Sequence, residues 1–257
     1  MIVVVSPAKK LDFVSDEIRP NWSKPDYLEQ SEKLIKSVRK LSRKKIAGLM
    51  NLSDNLADLN YERYRDFELP FTPANARQAV YAFKGDTYIG LDVDSLSEDD
   101  LNFAQDHFRI LSGLYGMLRP LDLIQAYRLE MGCRLNTPRK KNLYDFWGSE
   151  LTDGLNQLLK EQKTDVVINC ASQEYFKSIR EKELNGRVVT PVFKFVKDGM
   201  VKSPGMMAKR ARGMMARYII QNKIEDVQKL KKFNLDGYKF QPTLSNDDKM
   251  EFHRIAG

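Results

Sequence analysis

The sequence predicts an α/β fold of the mixed α+β kind, a single compact domain over residues 1–257 in which helices flank a mixed sheet. Three observations predict it. Short β-branched runs, Ile2–Val5 and Val166–Ile168, have the length and composition of buried strands. Other segments repeat their apolar residues every three or four positions, the mark of helices with one buried face. No Gly/Ser-rich linker, low-complexity stretch or internal repeat divides the chain, which is 42% hydrophobic and long enough to bury a substantial core.

The elements follow in order. Met1–Val5 is a first strand, cut short by Ser6-Pro7-Ala8-Lys9-Lys10. Tyr27 to Leu41 is an amphipathic helix through Leu28, Leu34, Ile35, Val38 and Leu41. A second helix starts near Ser53, whose hydroxyl suits a cap, and ends before Pro70. Ala79–Phe83 reads as a strand punctuated by Gly85-Asp86. Ser97-Glu98-Asp99-Asp100 reads as a capping sequence for a helix carrying Leu101, Ala104, Phe108 and Leu111, with its acids at the positive end. Phe146 to Lys160 reads as a further helix, Asp165–Cys170 as a central strand, Arg187–Val196 as β-rich. Met206 to Gln221 is a helix entered through Ser203-Pro204-Gly205.

Composition removes several function classes. No apolar run approaches a membrane span, and the first strand is too short for a signal-peptide core, so a cytoplasmic protein with no membrane partner is expected. Cys133 and Cys170 belong to no Cys-x-x-Cys pair, and His107 and His253 are the only imidazoles; neither a resident metal nor another cofactor is expected. The net charge of +7 favours a polyanionic partner. The excess is clustered: Lys33 to Lys45 contains seven cations and no acid, and the cations between Lys194 and Arg217 face Asp198 alone.

Turn residues mixed with cations recur in Ser6-Pro7-Ala8-Lys9, Phe83-Lys84-Gly85-Asp86, Ser112-Gly113-Leu114-Tyr115-Gly116 through Arg119-Pro120, Tyr127-Arg128-Leu129-Glu130-Met131-Gly132, Glu174-Tyr175-Phe176-Lys177 and Ala208-Lys209-Arg210-Ala211-Arg212-Gly213. In this order and spacing these runs resemble the YaaA family of peroxide-stress resistance proteins over essentially the whole chain. The resemblance implies one compact mixed α/β domain in a cytosolic protein that binds DNA, limits oxidative damage under hydrogen peroxide and lowers available iron. With so few soft ligands, the effect on iron is expected to be indirect.

Two further readings concern the site. Leu101 to Ala126 resembles a helix-hairpin-helix, with Gly113 and Gly116 as a hairpin offering backbone N–H groups to phosphate; the other reading is a tight turn inside the core. Lys9, Lys84, Arg119, Arg128, Lys177, Lys209 and Arg212 each flank a turn and, with Ser6, make the candidate nucleic-acid set; Ser6, Lys9, Lys84, Arg128 and Lys177 are expected to share one cleft. Arg128 and Glu130 are expected to pair, His107 to lie in the core, and Phe146 and Trp147 either to pack or to stack on a base. The alternative function is an enzyme acting on a nucleobase or nucleotide in a closed pocket lined by Lys9, Asp86, Arg128 and Glu130, although no nucleophile–histidine set or carboxylate pair names a reaction.

Overall fold

The structure is a computed structural model that describes residues 1–13, 19–138 and 140–255. Its centre is the first strand, β1 (Ile2–Val5), four β-branched side chains all 0–1% exposed. Burying each such side chain stabilises the fold by about 1.5–3 kcal/mol, so this strand must sit inside a sheet covered on both faces. It does. The described residues add β2 (Phe108–Ser112), β3 (Gly116–Leu118), β4 (Val166–Cys170), β5 (Arg187–Lys197), β6 (Met200–Lys202), β7 (Tyr238–Phe240) and β8 (Lys249–Ile255). Their order is β7-β8-β5-β4-β1-β2-β3, with β6 on β5. The pairs β1–β2, β1–β4, β4–β5 and β5–β8 are parallel, and β3, β6 and β7 attach antiparallel.

Helices flank the sheet: α1 (Leu28–Val38), α2 (Arg43–Met50), α3 (Asp54–Asp66), α4 (Asp86–Leu91), α5 (Glu98–His107), α6 (Glu150–Lys160) and α7 (Gly205–Gln221). The capping box read at Ser97 is present: its hydroxyl accepts from Asp100 N–H while the Asp100 carboxylate accepts from Ser97 N–H, both at 3.1 Å. Ser53 stands at the start of α3, but its side chain makes no capping bond. Helices α4 and α7 cross with their backbones in contact; a Cβ added to Gly213 would lie 1.8 Å from the Thr87 carbonyl oxygen.

Several expectations need correction. The helix read from Tyr27 to Leu41 ends at Val38, and a separate α2 follows, because Arg39 turns its guanidinium onto the carbonyls of Tyr64 and Phe67, both at 2.6 Å, at the end of α3. Ala79–Ala82 is a helical turn rather than a strand. All four of its residues are buried, so the run carries no periodicity by which to tell the two apart. The helix read from Phe146 to Lys160 is two, Leu143–Trp147 and α6, broken at Gly148 with φ +54°.

The helix-hairpin-helix reading of Leu101 to Ala126 also falls. After α5 the chain enters β2, whose five residues are all buried, then turns into β3; the segment beyond Pro120 is loop and the short strand Leu123–Ile124. Gly113 and Gly116 are buried in this turn. A Cβ on Gly113 would stand 2.2 Å from the Leu129 carbonyl oxygen, and Gly116, at φ +70°, rests on the Trp147 ring. No phosphate can approach either. The glycines serve packing, the other reading offered for them.

Candidate functional site at the carboxyl edge of the sheet

Strands β1, β2 and β4 run parallel, so Ser6, Gly113 and Ala171 leave the sheet at the same edge. From β1 the chain passes to β2 on one side, then from β2 to β4 on the other, which makes the β1–β4 boundary a topological switch point. Loops that diverge there open a crevice, the usual ligand position in open α/β sheets. Ser6 and Ser172 meet in it: the Ser6 hydroxyl accepts from Ser172 N–H at 2.8 Å and lies 3.2 Å from the Ser172 hydroxyl. The Ser6 carbonyl accepts from the Tyr88 hydroxyl at 3.1 Å.

Beside this pair lies a three-charge cluster. Glu130 is 8% exposed and its Oε1 takes Lys9 Nζ at 3.1 Å and both Arg128 Nε and Nη2 at 3.2 Å. Two cations on one carboxylate satisfy an otherwise costly buried charge and leave a net positive centre. The Lys9 side chain is 67% exposed, so it can leave the carboxylate for a ligand. The expected Arg128–Glu130 pair therefore forms, although residues 127–130 belong to no strand. Arg128 is held from behind, its carbonyl accepting from the buried Tyr64 hydroxyl of α3.

Lys177 joins through a chain of contacts. Glu174 Oε1 accepts from Gly132 N–H at 3.0 Å, the Glu174 carbonyl accepts from the Tyr144 hydroxyl at 2.9 Å, and Lys177 Nζ stands 5.2 Å from the Tyr144 ring centre. On the other flank, Lys10–Leu11 pairs antiparallel with Phe83–Lys84, and Lys84 Nζ lies 3.9 Å from Asp12. These residues line a groove of about 710 Å³ with Gly85, Tyr88 and Ile89. Arg212 belongs to the same edge, since α7 starts there and the Arg212 charge acts on the Cys170 thiol at the end of β4. Lys209 is exposed one turn earlier on α7.

Other sequence candidates lie elsewhere. Arg119 follows β3, which runs antiparallel to β2, so it sits at the opposite edge of the sheet. There it is consumed by structure: Nη2 meets Asp26 at 3.1 Å and the Lys24 carbonyl at 2.6 Å, and Nε meets the buried Asp122 at 3.1 Å. Desolvation raises the Asp122 carboxyl against the pull of Arg119 and Ser23. Trp147 is 0% exposed and donates to the Gly113 carbonyl at 3.1 Å, so it packs and does not stack on a base. His107 lies in the core as expected, stacked on Phe103 with Nδ1 2.9 Å from the Met1 carbonyl, and burial lowers its pKa.

The candidate set left out two contributors: Ser172, from the Ala171-Ser172 turn that the sequence also singles out, and Tyr88 complete the Ser6 corner. Among the described residues α2 and α3 follow one another across Asn51-Leu52-Ser53, with Asn51 left-handed at φ 50°. The signal for this break was present: an Asn between two apolar-periodic segments is a helix stop.

The profile of a family described as "Peroxide stress protein YaaA" matches residues 1–244. A "UPF0246 protein" of Colwellia psychrerythraea is 54% identical over 254 residues, covering 99% of both chains. Relatives of the same name in Alteromonas mediterranea, over 99% of this chain and 98% of that one, and in Burkholderia mallei, over all of both, are each 52% identical. No described helix is long and apolar enough to cross a membrane. With matches of this extent to the profile and to three relatives, the chain belongs to the peroxide stress protein YaaA family.

Proposed function

We propose that this protein acts in peroxide stress by holding duplex DNA, without reading its sequence, across the carboxyl edge of its sheet. One observation carries the reading: Lys9, Lys84, Arg128 and Lys177, from separate chain segments, are brought to the edge where Ser6 and Ser172 mark the switch point, beside an open groove. Cations at that spacing suit a phosphate backbone, which supplies affinity but no sequence discrimination. Lys209 and Arg212 extend the charge along α7, and the exposed Lys44 and Lys45 at the start of α2 add a general attraction for polyanions. Among the described residues no three His, Cys, Asp or Glu side chains gather as metal ligands. We infer that any influence on iron is indirect, through DNA or another partner.

The enzyme reading needs a closed pocket at Glu130. The space enclosed with Lys9, Arg128 and Glu130 is about 10 Å³, at the lower limit for a single water. Asp86 does not line it. A nucleobase has no room there unless the cluster opens.

The test is a fluorescence-anisotropy titration of two unrelated duplexes at several salt concentrations. Both should bind alike, with log affinity falling linearly in log salt, and Lys9→Ala and Lys84→Ala should each shrink the slope by about 0.9. Salt-independent binding, or none at low salt, would refute the proposal.

A further inference from the structure

Strand β5 pairs with β4 only over Arg187–Val189, whereas β8 accompanies it from Thr190 to Val196. β5 therefore leaves β4 at Thr190 and from Val192 onward runs past its end, beyond the carboxyl edge that holds Ser6 and Ser172. Strand β6 takes up the vacated side, pairing Met200 with Lys197, Val201 with Val196 and Lys202 with Phe195. The link is the two residues Asp198 and Gly199, at φ 51° and 73°. Two consecutive positive values make the tight primed turn whose twist matches the strands. The result is a short, well-formed ribbon on the same side of the molecule as the cleft cations.

Its surface has an unusual composition for a free ribbon. Met200 and Val201, beside the turn, are 53% and 55% exposed, and Met206, just after it, 69%. Three large apolar side chains within seven residues are a patch, not scatter. Cations surround them: Lys194, Lys197, Lys202, Lys209, Arg210 and Arg212, six against Asp198 alone between residues 194 and 212. Among the described residues no carboxylate pairs with Lys197 or Lys202. Lys197 and Met200 share one face of the ribbon with Lys202, while Val201 points to the other.

We propose that this ribbon is a groove-entering arm for duplex nucleic acid: Lys197 and Lys202 follow the phosphates, Met200 on their face presses on the base edges and parts a base step, and Val201 on the opposite face packs against the groove wall. A two-stranded ribbon fits a DNA groove, and apolar side chains beside cations are how groove-binding arms unstack a step. The proposal rests on the DNA reading above and adds to it a contact that deforms the duplex.

The experiment uses the full chain and a duplex carrying 2-aminopurine, whose fluorescence rises on unstacking. Wild type should give a rise. Met200→Ser with Val201→Ser should lose most of it and bind about tenfold more weakly at an unchanged salt slope. Lys197→Ala with Lys202→Ala should lower the slope by nearly two units. All four residues lie at an exposed tip, and equal melting midpoints show that the variants are folded. Salt-dependent duplex binding with no fluorescence rise, or with both variants unchanged, overturns the arm and leaves the DNA reading standing. Absence of duplex binding by wild type overturns both. Flotation with anionic phospholipid vesicles that is lost in the Met200/Val201 variant, duplex binding being unaffected, assigns the arm to a membrane surface and also overturns it.

Discussion

A protein of peroxide stress invites the idea that its own cysteines meet the oxidant, and the geometry of Cys133 and Cys170 argues the opposite. Burial pushes both thiols up to about 12, helped at Cys133 by the charge of Glu130 and opposed at Cys170 by Arg212. The thiolate is the form that attacks peroxide. At pH 7 a thiol with a pKa near 12 is ionised to roughly one part in 10⁵, against about 3% for an ordinary thiol near 8.5, a deficit of roughly 3,000-fold. Exposures of 6% and 1% slow the encounter further. The assay is incubation of the native protein with millimolar hydrogen peroxide and dimedone, followed by intact mass, with a urea-unfolded sample as reference. The folded chain should stay unlabelled for hours while the unfolded one reacts. Stoichiometric labelling of native protein within minutes would refute the reasoning and move peroxide chemistry onto the protein itself.

The same thiols make a pH prediction with a definite sign. Their folded pKa is raised, so above the unfolded value near 8.5 the unfolded state releases protons that the folded state keeps, and stability falls as pH rises toward 12 by up to about 1.4 kcal/mol per pH unit for each thiol; urea melts at pH 8 and 10 should show this, and Cys170→Ala should soften it. Gly113→Ala drives a Cβ against the Leu129 carbonyl oxygen, and a chemical melt should show a loss of about 3 kcal/mol or more. Arg119→Ala leaves buried Asp122 short of its cation and should destabilise by about 3 kcal/mol, with the salt slope of duplex binding unchanged. Glu130→Gln frees Lys9 and Arg128 from their shared carboxylate, so duplex affinity should rise at low salt, and the slope with it by up to about one unit, while thermal stability drops.

Much of this was legible where one residue type dictates one environment. Ile2–Val5 admits little but a buried strand, and Ser97 with Asp100 closes its capping box as read. Failures share a cause. Ala79–Ala82 and Phe108–Ser112 are buried on every side, so no polar face marks their period; the first became a helical turn and the second a strand in place of the expected end of the helix that starts at Ser97. Arg39 ends α1 by bonding carbonyls more than twenty residues away, a contact invisible to local pattern. At the site, Lys9 and Arg128 entered the candidate set because cations beside turns are few enough to enumerate, and both meet Glu130, the partner expected for Arg128. Arg119 satisfied the same criterion, yet the antiparallel return of β3 carries it to the far edge. Which edge a turn occupies is a property of topology.

That distinction supplies the most direct measurement. Hydrogen exchange of the full chain, alone and saturated with a duplex at low salt, reports which edge the nucleic acid covers. The account predicts slowed exchange in residues 6–12, 83–86, 128–133 and 172–177, with residues 105–109 and 119–122 at the opposite edge unchanged. Protection centred on residues 119–122, or none along the Ser6–Glu130 crevice, would contradict it.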